Sequence, residues 1–294
     1  MSSDLEKSAE NVVFCLGTVK SGTTWLYRYF YRHPQFVLPA IKELHFFDAV
    51  DNQMLARWMQ DIDTNIGLLK KWKRKADLIQ EIRFADAKTY RDVLQSLDEE
   101  RYKEYLQSKT DTGFWTGDFT PCYSILSEER LGKMSGMFEN ARFVLLLRDP
   151  IDRLWSHVRM IAKRRADKGE DITKRARYIL NNALGGNENP ILARGDYPII
   201  LDKLDAAIPP ENLFIMTYEE MLAQENLDRL CAYLDVEPQE GAFASVVHKG
   251  VSVEMREEER ALAADFLAPH YDYIENRFGK LPQGWDREGH HLVA

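Results

Sequence analysis

Short apolar runs alternate with helical patterns along this chain. Residues 11–17 (NVVFCLG) and 142–148 (RFVLLLR) have the length of strands, and their nearly continuous apolar character is typical of parallel strands buried on both faces. Residues 212–218 (NLFIMTY) predict a third strand, and residues 113–120 (GFWTGDFT) predict a fourth. Because helical patterns lie between and after these runs, the chain predicts an α/β fold with a mostly parallel central sheet flanked by helices.

Two of the predicted helices directly follow predicted strands. The first carries an apolar stripe that begins near Trp25, and it must end before Pro34, since proline breaks a helix interior. The second begins after Arg148, where Asp149 can cap the first turn. Ser156 follows Asp149 by seven residues, which is nearly two whole turns, so it faces the same side as the cap. We therefore expect Arg148 and Ser156 to converge on one ligand.

The loop between the first strand and its helix has the composition of a phosphate site. Residues 17–25 read GTVKSGTTW, and backbone N–H groups at such a helix N-terminus can cradle a phosphate. Lys20 adds a positive charge, while Ser21, Thr23 and Thr24 add hydroxyl donors. The loop is not a Walker A motif, because its lysine comes two residues before Gly22 instead of directly after the second glycine.

Composition narrows the class of protein. The 294 residues are 45% hydrophobic and carry a net charge of −8, which allows a large core and argues against a nucleic-acid binder with a basic face. The longest apolar run is far shorter than the roughly 20 residues that span a membrane. The N-terminus lacks the basic region of a signal peptide, and the three cysteines have neither disulfide nor metal-ligand spacing. We expect one domain over residues 1–294, a cytoplasmic location, and neither a nucleic-acid nor a membrane partner.

The loop strongly resembles the 5′-phosphosulfate-binding loop of sulfotransferases that use 3′-phosphoadenosine 5′-phosphosulfate (PAPS). That family pairs the loop with an arginine at a strand end and a serine eight residues later, and LLLRDPIDRLWSH supplies both as Arg148 and Ser156. The resemblance implies a P-loop-kinase-like sulfotransferase fold, with Arg148 and Ser156 holding the 3′-phosphate. It also implies a cradle for the 5′-phosphosulfate made by Lys20, Ser21, Gly22, Thr23, Thr24 and Trp25.

Further segments resemble the glycosaminoglycan branch, the heparan sulfate N- and 3-O-sulfotransferases. Residues 42–48 (KELHFFD) are similar to its KE-x-HFF segment, whose glutamate is the catalytic base. Residues 117–123 (GDFTPCY) resemble its (E/D)-K-(S/T)-P-x-Y stretch, except that Phe119 replaces the lysine. Residues 194–197 (RGDY) resemble a G-x-Y helix start, and residues 248–250 (HKG) resemble a loop that closes over the cofactor, which implies Lys249 and Gly250 as cofactor contacts. The branch's disulfide cysteines have no counterpart in this sequence, and we expect no membrane anchor.

The chemistry implied is transfer of a sulfuryl group from PAPS to a hydroxyl or amine of a carbohydrate or small-molecule acceptor, with adenosine 3′,5′-bisphosphate as the product. We assign Lys20 to the departing phosphate, so that no metal is expected. Glu43 is the favoured base, and Lys42 beside it is expected to orient a reactant, although a neighbouring lysine lowers a carboxylate pKa and weakens it as a base. His45 is the rival base, since its ordinary pKa of about 6.5 suits proton abstraction near neutral pH.

Two other functions stay open at this point: a nucleotide-dependent kinase with a divergent phosphate loop, and a catalytically silent member that only binds the nucleotide. The position of the lysine and the lack of an evident magnesium carboxylate disfavour the kinase. The helical insertion over residues 50–112 is expected to shape the acceptor site.

Overall fold

The computed structural model describes residues 10–72, 78–110, 113–244 and 253–287. Its strands are Asn11–Gly17 (β1), Thr116–Asp118 (β2), Asn140–Leu147 (β3) and Leu213–Thr217 (β4). They form one sheet in the order β2-β1-β3-β4, and every pairing is parallel. All four sequence-predicted strands are confirmed, and with them the α/β fold class.

Helices connect and cover these strands. Helix α1 (Thr23–Tyr31) follows β1, and α7 (Pro150–Arg165) follows β3. The region between β1 and β2 is largely helical, as the sequence predicts for residues 50–112. The remaining helices, in chain order, are α2 (Phe46–Asp51), α3 (Leu55–Trp72), α4 (Leu78–Ser96), α5 (Glu99–Gln107), α6 (Glu128–Ser135), α8 (Ile172–Leu184), α9 (Asn189–Leu192), α10 (Tyr197–Ala207), α11 (Tyr218–Met221), α12 (Gln224–Tyr233) and α13 (Glu257–Phe278), with 3-10 turns at Pro121–Ile125, Ala193–Gly195 and Pro210–Asn212.

The two faces of the sheet bury separate apolar clusters. Along β1, Val12, Phe14 and Leu16 belong to the larger cluster, while Val13 and Cys15 belong to the smaller one on the other side. This split follows from the alternation of side chains along a strand. Helices α1 and α12 cover the smaller cluster, and the larger one is covered by α2 to α8, α10 and α13. Burial on both faces explains why the central strands are apolar at nearly every position.

The predicted cap at Asp149 sets the start of α7, and a glycine sets the start of α1. Asp149 accepts a hydrogen bond from the Asp152 backbone N–H at 3.0 Å, and Pro150 is the first residue of α7. Gly22 caps α1 in the left-handed conformation, with φ of 89°. Both helices therefore begin at the carboxyl edge of the sheet, directly after their strands.

That carboxyl edge also contains the point at which the strand order reverses. The chain leaves β1 for β2 on one side, whereas β3 and β4 lie on the other side of β1. Ligands of open parallel sheets bind in the crevice at such a point. The loops after β1 and β3 lie on either side of it, so the sheet itself brings the two sequence motifs together.

Among the described helices, none combines the length and apolar character needed to cross a bilayer.

Candidate functional site

The loop after β1 is fixed by hydrogen bonds to the neighbouring strand. The Thr18 backbone N–H donates to the Leu146 carbonyl at 2.6 Å, and the Thr18 and Ser21 hydroxyls lie 2.7 Å apart. In the described residues, no side chain caps the N-terminus of α1 at Gly22. The first backbone N–H groups of α1 are thus left for a ligand, and the helix dipole favours an anionic one.

Arg148 at the end of β3 reaches this loop. Its guanidinium Nη1 donates to the Lys20 carbonyl at 3.4 Å, and its Cζ lies 4.9 Å from the centre of the Tyr218 ring. The Tyr197 hydroxyl holds the Arg148 backbone by bonding to both its N–H and its carbonyl. In the part of the chain that the structure describes, Arg148 Nε is buried without a hydrogen-bond partner. A fixed guanidinium with an unused buried donor suits an anion.

Positive charge is concentrated around Lys20. Burial lowers the pKa of Lys20, and the charges of Arg148, Arg159 and Arg164 lower it further, while Glu43 acts in the opposite direction. A lysine that is buried and surrounded by other cations gains most when an anion binds among them. The same interactions place Glu43 close enough to Lys20 for their charges to act on each other.

Ser156 lies on the face of α7 that carries the two residues with which Arg148 interacts. The Arg148 guanidinium is 3.6 Å from Asp152 Oδ2, and its charge also acts on Arg159. Asp152, Ser156 and Arg159 are spaced by four and three residues, which puts them on one helix face. Ser156 is half-buried between the other two. The convergence of Arg148 and Ser156 on one ligand stays a prediction.

The KELHFFD segment forms a chain of charged side chains. The Lys42 ammonium donates to Glu43 Oε1, and His45 Nε2 lies 3.5 Å from Glu43 Oε2. On its other side, His45 Nδ1 is 2.6 Å from Asp48 Oδ2. The His45 ring stacks on Trp58 with 3.5 Å between ring centres and 4° between planes. His45 is therefore held between two carboxylates and against an aromatic face.

These contacts shift the pKa values of Glu43 and His45 away from their ordinary values. Partial burial acts to raise the pKa of Glu43, but Lys42 and His45 outweigh it, and the pKa lies well below its usual range. For His45, burial acts to lower the pKa, but hydrogen bonds to Asp48 and Glu43 raise it overall. Lys42 thus lowers the pKa of Glu43, as expected from the sequence, and burial does not offset this lowering. Glu43 is ionised near neutral pH.

Asp118 anchors this segment from the end of β2. The carboxylate accepts hydrogen bonds from the hydroxyls of Tyr102 at 2.9 Å, Tyr123 at 2.8 Å and Thr120 at 2.6 Å. Thr120 Oγ1 in turn accepts the His45 backbone N–H at 3.3 Å. Asp118 is fully buried, and burial raises its pKa. Its role in this structure is to position the segment that carries Glu43 and His45.

A sequence profile of the sulfotransferase family matches residues 12–240. The chain belongs to this family. As a sulfotransferase, the protein acts on an acceptor substrate. No curated protein gives a significant match to the chain.

Solved sulfotransferase structures share the fold. The crystal structure of a sulfotransferase from Alicyclobacillus acidocaldarius has a TM-score of 0.58 at 17% identity, covering 93% of this chain and 97% of that one. The sulfotransferase domain from the curacin biosynthetic pathway has a TM-score of 0.50 at 17% identity, covering 88% of this chain and 97% of that one. The sulfotransferase domain from the Synechococcus PCC 7002 olefin synthase has a TM-score of 0.50 at 15% identity, covering 92% of this chain and 97% of that one. At these identities the likeness shows the fold alone.

Most of the predicted site residues lie along one edge of this sulfotransferase. The cradle residues follow β1, and Arg148 directly follows β3. Ser156 lies in the helix after β3, and the segment with Lys42, Glu43 and His45 is tied to Thr120 after β2. Trp25 turns into the protein, where it is 7% exposed and stacks on Phe243 at 5.6 Å. Lys249 and Gly250 lie outside the described residues, so their predicted contact with the cofactor stays a prediction.

The sequence reasoning missed two residues at this edge. Tyr218 directly follows β4 and contacts both Arg148 and the Gly22 position. Its place after an apolar strand was the signal, since carboxyl ends of parallel strands meet at one edge. Cys122 has no metal-ligand spacing to the other cysteines in the sequence, but its thiol lies within 4.8 Å of ligand atoms of His45 and Asp48. That proximity arises between segments more than 70 residues apart.

Proposed function

We propose that this sulfotransferase transfers a sulfuryl group from PAPS to a hydroxyl or amine of a carbohydrate or small-molecule acceptor. The observation that carries the proposal is the convergence of the Gly17–Gly22 loop with Arg148, whose buried Nε lacks a partner among the described residues. The residues fit the two anionic ends of such a donor. The loop and Lys20 suit the 5′-phosphosulfate, and Arg148 with Ser156 suits the 3′-phosphate.

When bound, the donor supplies an activated sulfuryl group on a phosphate leaving group. Lys20 is positioned to stabilise the negative charge that grows on the leaving oxygen. Backbone N–H groups of the loop hold the phosphate in place, so the chain's contribution is positioning and electrostatics, by analogy with phosphoryl transfer. Lys20 supplies the fixed positive charge for this step, and Arg148 holds the donor at its 3′-phosphate.

Glu43 is the better candidate for the base. Its carboxylate is ionised, is 40% exposed, and lies near enough to Lys20 for their charges to interact. His45 faces a carboxylate with each ring nitrogen, which favours the protonated imidazolium and removes it from proton abstraction. We therefore assign His45 to positioning Glu43, together with Lys42. A base with a low pKa works best on an acceptor whose own proton is acidic.

The helices between β1 and β2 supply the proposed acceptor side. Trp58 of α3 stacks on His45, and Tyr90 of α4 donates to the Leu44 carbonyl at 2.6 Å. These contacts place α3 and α4 against the segment that carries Glu43. The region therefore has the position needed to select the acceptor.

Ligand specificity tests the proposal first. Thermal-shift titrations with adenosine 3′,5′-bisphosphate, ATP and AMP should show strong preference for the bisphosphate. If ATP binds equally well, the donor assignment is wrong and a kinase becomes the better hypothesis. Donor binding without turnover across many acceptors would indicate a silent member.

Turnover of variants separates the assigned roles. Lys20→Ala should lower the rate about 10²–10³-fold for every acceptor, because it removes a preorganised charge at the leaving group. Glu43→Gln should keep donor affinity and lose about 10²–10⁴-fold in rate, with a smaller loss for acidic acceptors such as nitrophenols. If His45→Asn instead shows the dependence on acceptor pKa while Glu43→Gln stays active, His45 is the base.

A further inference from the structure

Three side chains beside Glu43 form a set of metal ligands. One nitrogen of His45, one carboxylate oxygen of Asp48 and the Cys122 sulfur lie within 4.8 Å of one another. His45 and Asp48 are 6% and 3% exposed, while Cys122 is partly exposed. Imidazole, carboxylate and thiolate together are ligands that zinc accepts, and the partly exposed thiol leaves a side open for the ion. We propose that His45, Asp48 and Cys122 bind Zn²⁺, and that the bound ion inhibits the enzyme.

Hydrogen bonds already hold together the two segments that carry these side chains. Cys122 lies between Thr120, which accepts the His45 backbone N–H at 3.3 Å, and Tyr123, whose hydroxyl accepts the Phe47 backbone N–H at 3.4 Å. The 3-10 turn that carries the thiol is thereby tied to the start of α2, which carries the other two ligands. A site whose elements are already fixed loses little conformational entropy when it binds an ion.

The three ligand atoms need to move only a short distance to bind zinc. Tetrahedral zinc, with bond lengths of about 2.0–2.3 Å, separates its ligand atoms by roughly 3.3–3.8 Å. The His45–Asp48 contact of 2.6 Å must open by less than about an ångström, since the ion takes the place of the shared proton. The thiol lies within 4.8 Å of the other two ligand atoms, so it must move closer by at most about an ångström, which a side-chain rotation can supply.

Arg194 competes with the ion for the thiol. Its Nε donates to Cys122 Sγ at 3.4 Å, so zinc must displace it, and the thiol must lose its proton to solvent. Water or another small ligand would complete the coordination. These costs favour a site that responds to the zinc concentration over one that is permanently filled.

Inhibition rests on the proposed function, because His45 is assigned to positioning Glu43. An ion held by His45 and Asp48 takes the place of the proton between them and draws the His45 ring toward Cys122. The ring then no longer holds the Glu43 carboxylate in its present position, and turnover falls because the base is misplaced. Zinc binding itself does not depend on the reaction, so it can be measured separately.

The experiment uses the full chain after removal of metals with a chelator. Titration with Co²⁺ should produce a thiolate-to-cobalt charge-transfer band that saturates at one equivalent and disappears when Zn²⁺ is added. Cys122→Ser should abolish the band and weaken Zn²⁺ affinity about a hundredfold or more, since outer partners of a metal site alone are worth 10–100-fold. The matched control is Cys231→Ser. That thiol is buried against the Tyr29 hydroxyl in the cluster on the opposite sheet face, so both signals should persist.

Absence of the band in the wild-type protein, or its survival in Cys122→Ser, would overturn the metal site. Zn²⁺ should also inhibit turnover of the wild-type and Cys231→Ser enzymes and spare Cys122→Ser. Equal inhibition of all three would refute the regulatory role. A normal band in a protein that never transfers sulfate would reject the proposed function and leave the metal site standing.

Discussion

Gly22 offers a sharp test of how the proposed phosphate loop is built. The residue has φ of 89°, and a Cβ at this position would lie 2.6 Å from Tyr218 Cδ2 and 2.8 Å from Met221 Cε. Met221 is fully buried, so it has little room to move away. Gly22→Ala therefore meets two separate penalties, one from the backbone conformation and one from overpacking.

The control at Gly169 separates these penalties. Gly169 has nearly the same φ, 88°, but no atom lies within 4 Å of the position a Cβ would take. A left-handed conformation costs alanine about 1–2 kcal/mol, and this cost is common to both variants. Overpacking adds about 1–3 kcal/mol at Gly22 alone. We expect Gly22→Ala to lower the free energy of unfolding by that additional amount relative to Gly169→Ala.

Urea unfolding followed by tryptophan fluorescence measures the difference. Under the same conditions, titration with adenosine 3′,5′-bisphosphate should show weaker binding for Gly22→Ala and unchanged binding for Gly169→Ala, because only the first displaces the loop. Equal losses of stability in the two variants would mean that Tyr218 and Met221 do not press on the loop.

Three further results are expected. Arg148→Ala should lose up to about a hundredfold in affinity for adenosine 3′,5′-bisphosphate. The same variant should lose little affinity for an analogue without the 3′-phosphate. Arg175→Ala, which removes a surface ion pair, is the control. Tyr102→Phe should cost about 1–3 kcal/mol in urea unfolding because it removes a hydrogen bond to buried Asp118, whereas Tyr178→Phe, 60% exposed, should cost almost nothing. Burial acts to raise the pKa of Glu259, but Arg256 and Arg177 lower it overall, so its stabilisation is present above about pH 4.3 and is lost as the pH falls through the lowered value. Glu259→Gln should thus destabilise the protein more at about pH 6 than at about pH 3.5, and an equal effect at both would contradict the ion pairing.

Local sequence patterns were sufficient to predict the strands, the helices that follow β1 and β3, and the loop after β1. The apolar runs of β1 and β3 are readable because strands covered on both faces must be apolar throughout. The cap at Asp149 and the end of α1 before Pro34 depend on neighbours only a few residues away. The proposed phosphate loop was equally visible, because the residues that suit phosphate lie within nine consecutive positions.

The tertiary structure decided which residues meet and how they titrate. Tyr218 reaches Arg148 only because β4 pairs with β3, and Cys122 approaches His45 only because the turn after β2 packs on α2. The sequence shows that Lys42 lies beside Glu43, but only the structure shows that Lys42 and His45 together outweigh the effect of burial on the pKa of Glu43. Such interactions depend on distances of a few ångströms between segments far apart in the chain, and a one-dimensional pattern carries no information about those distances.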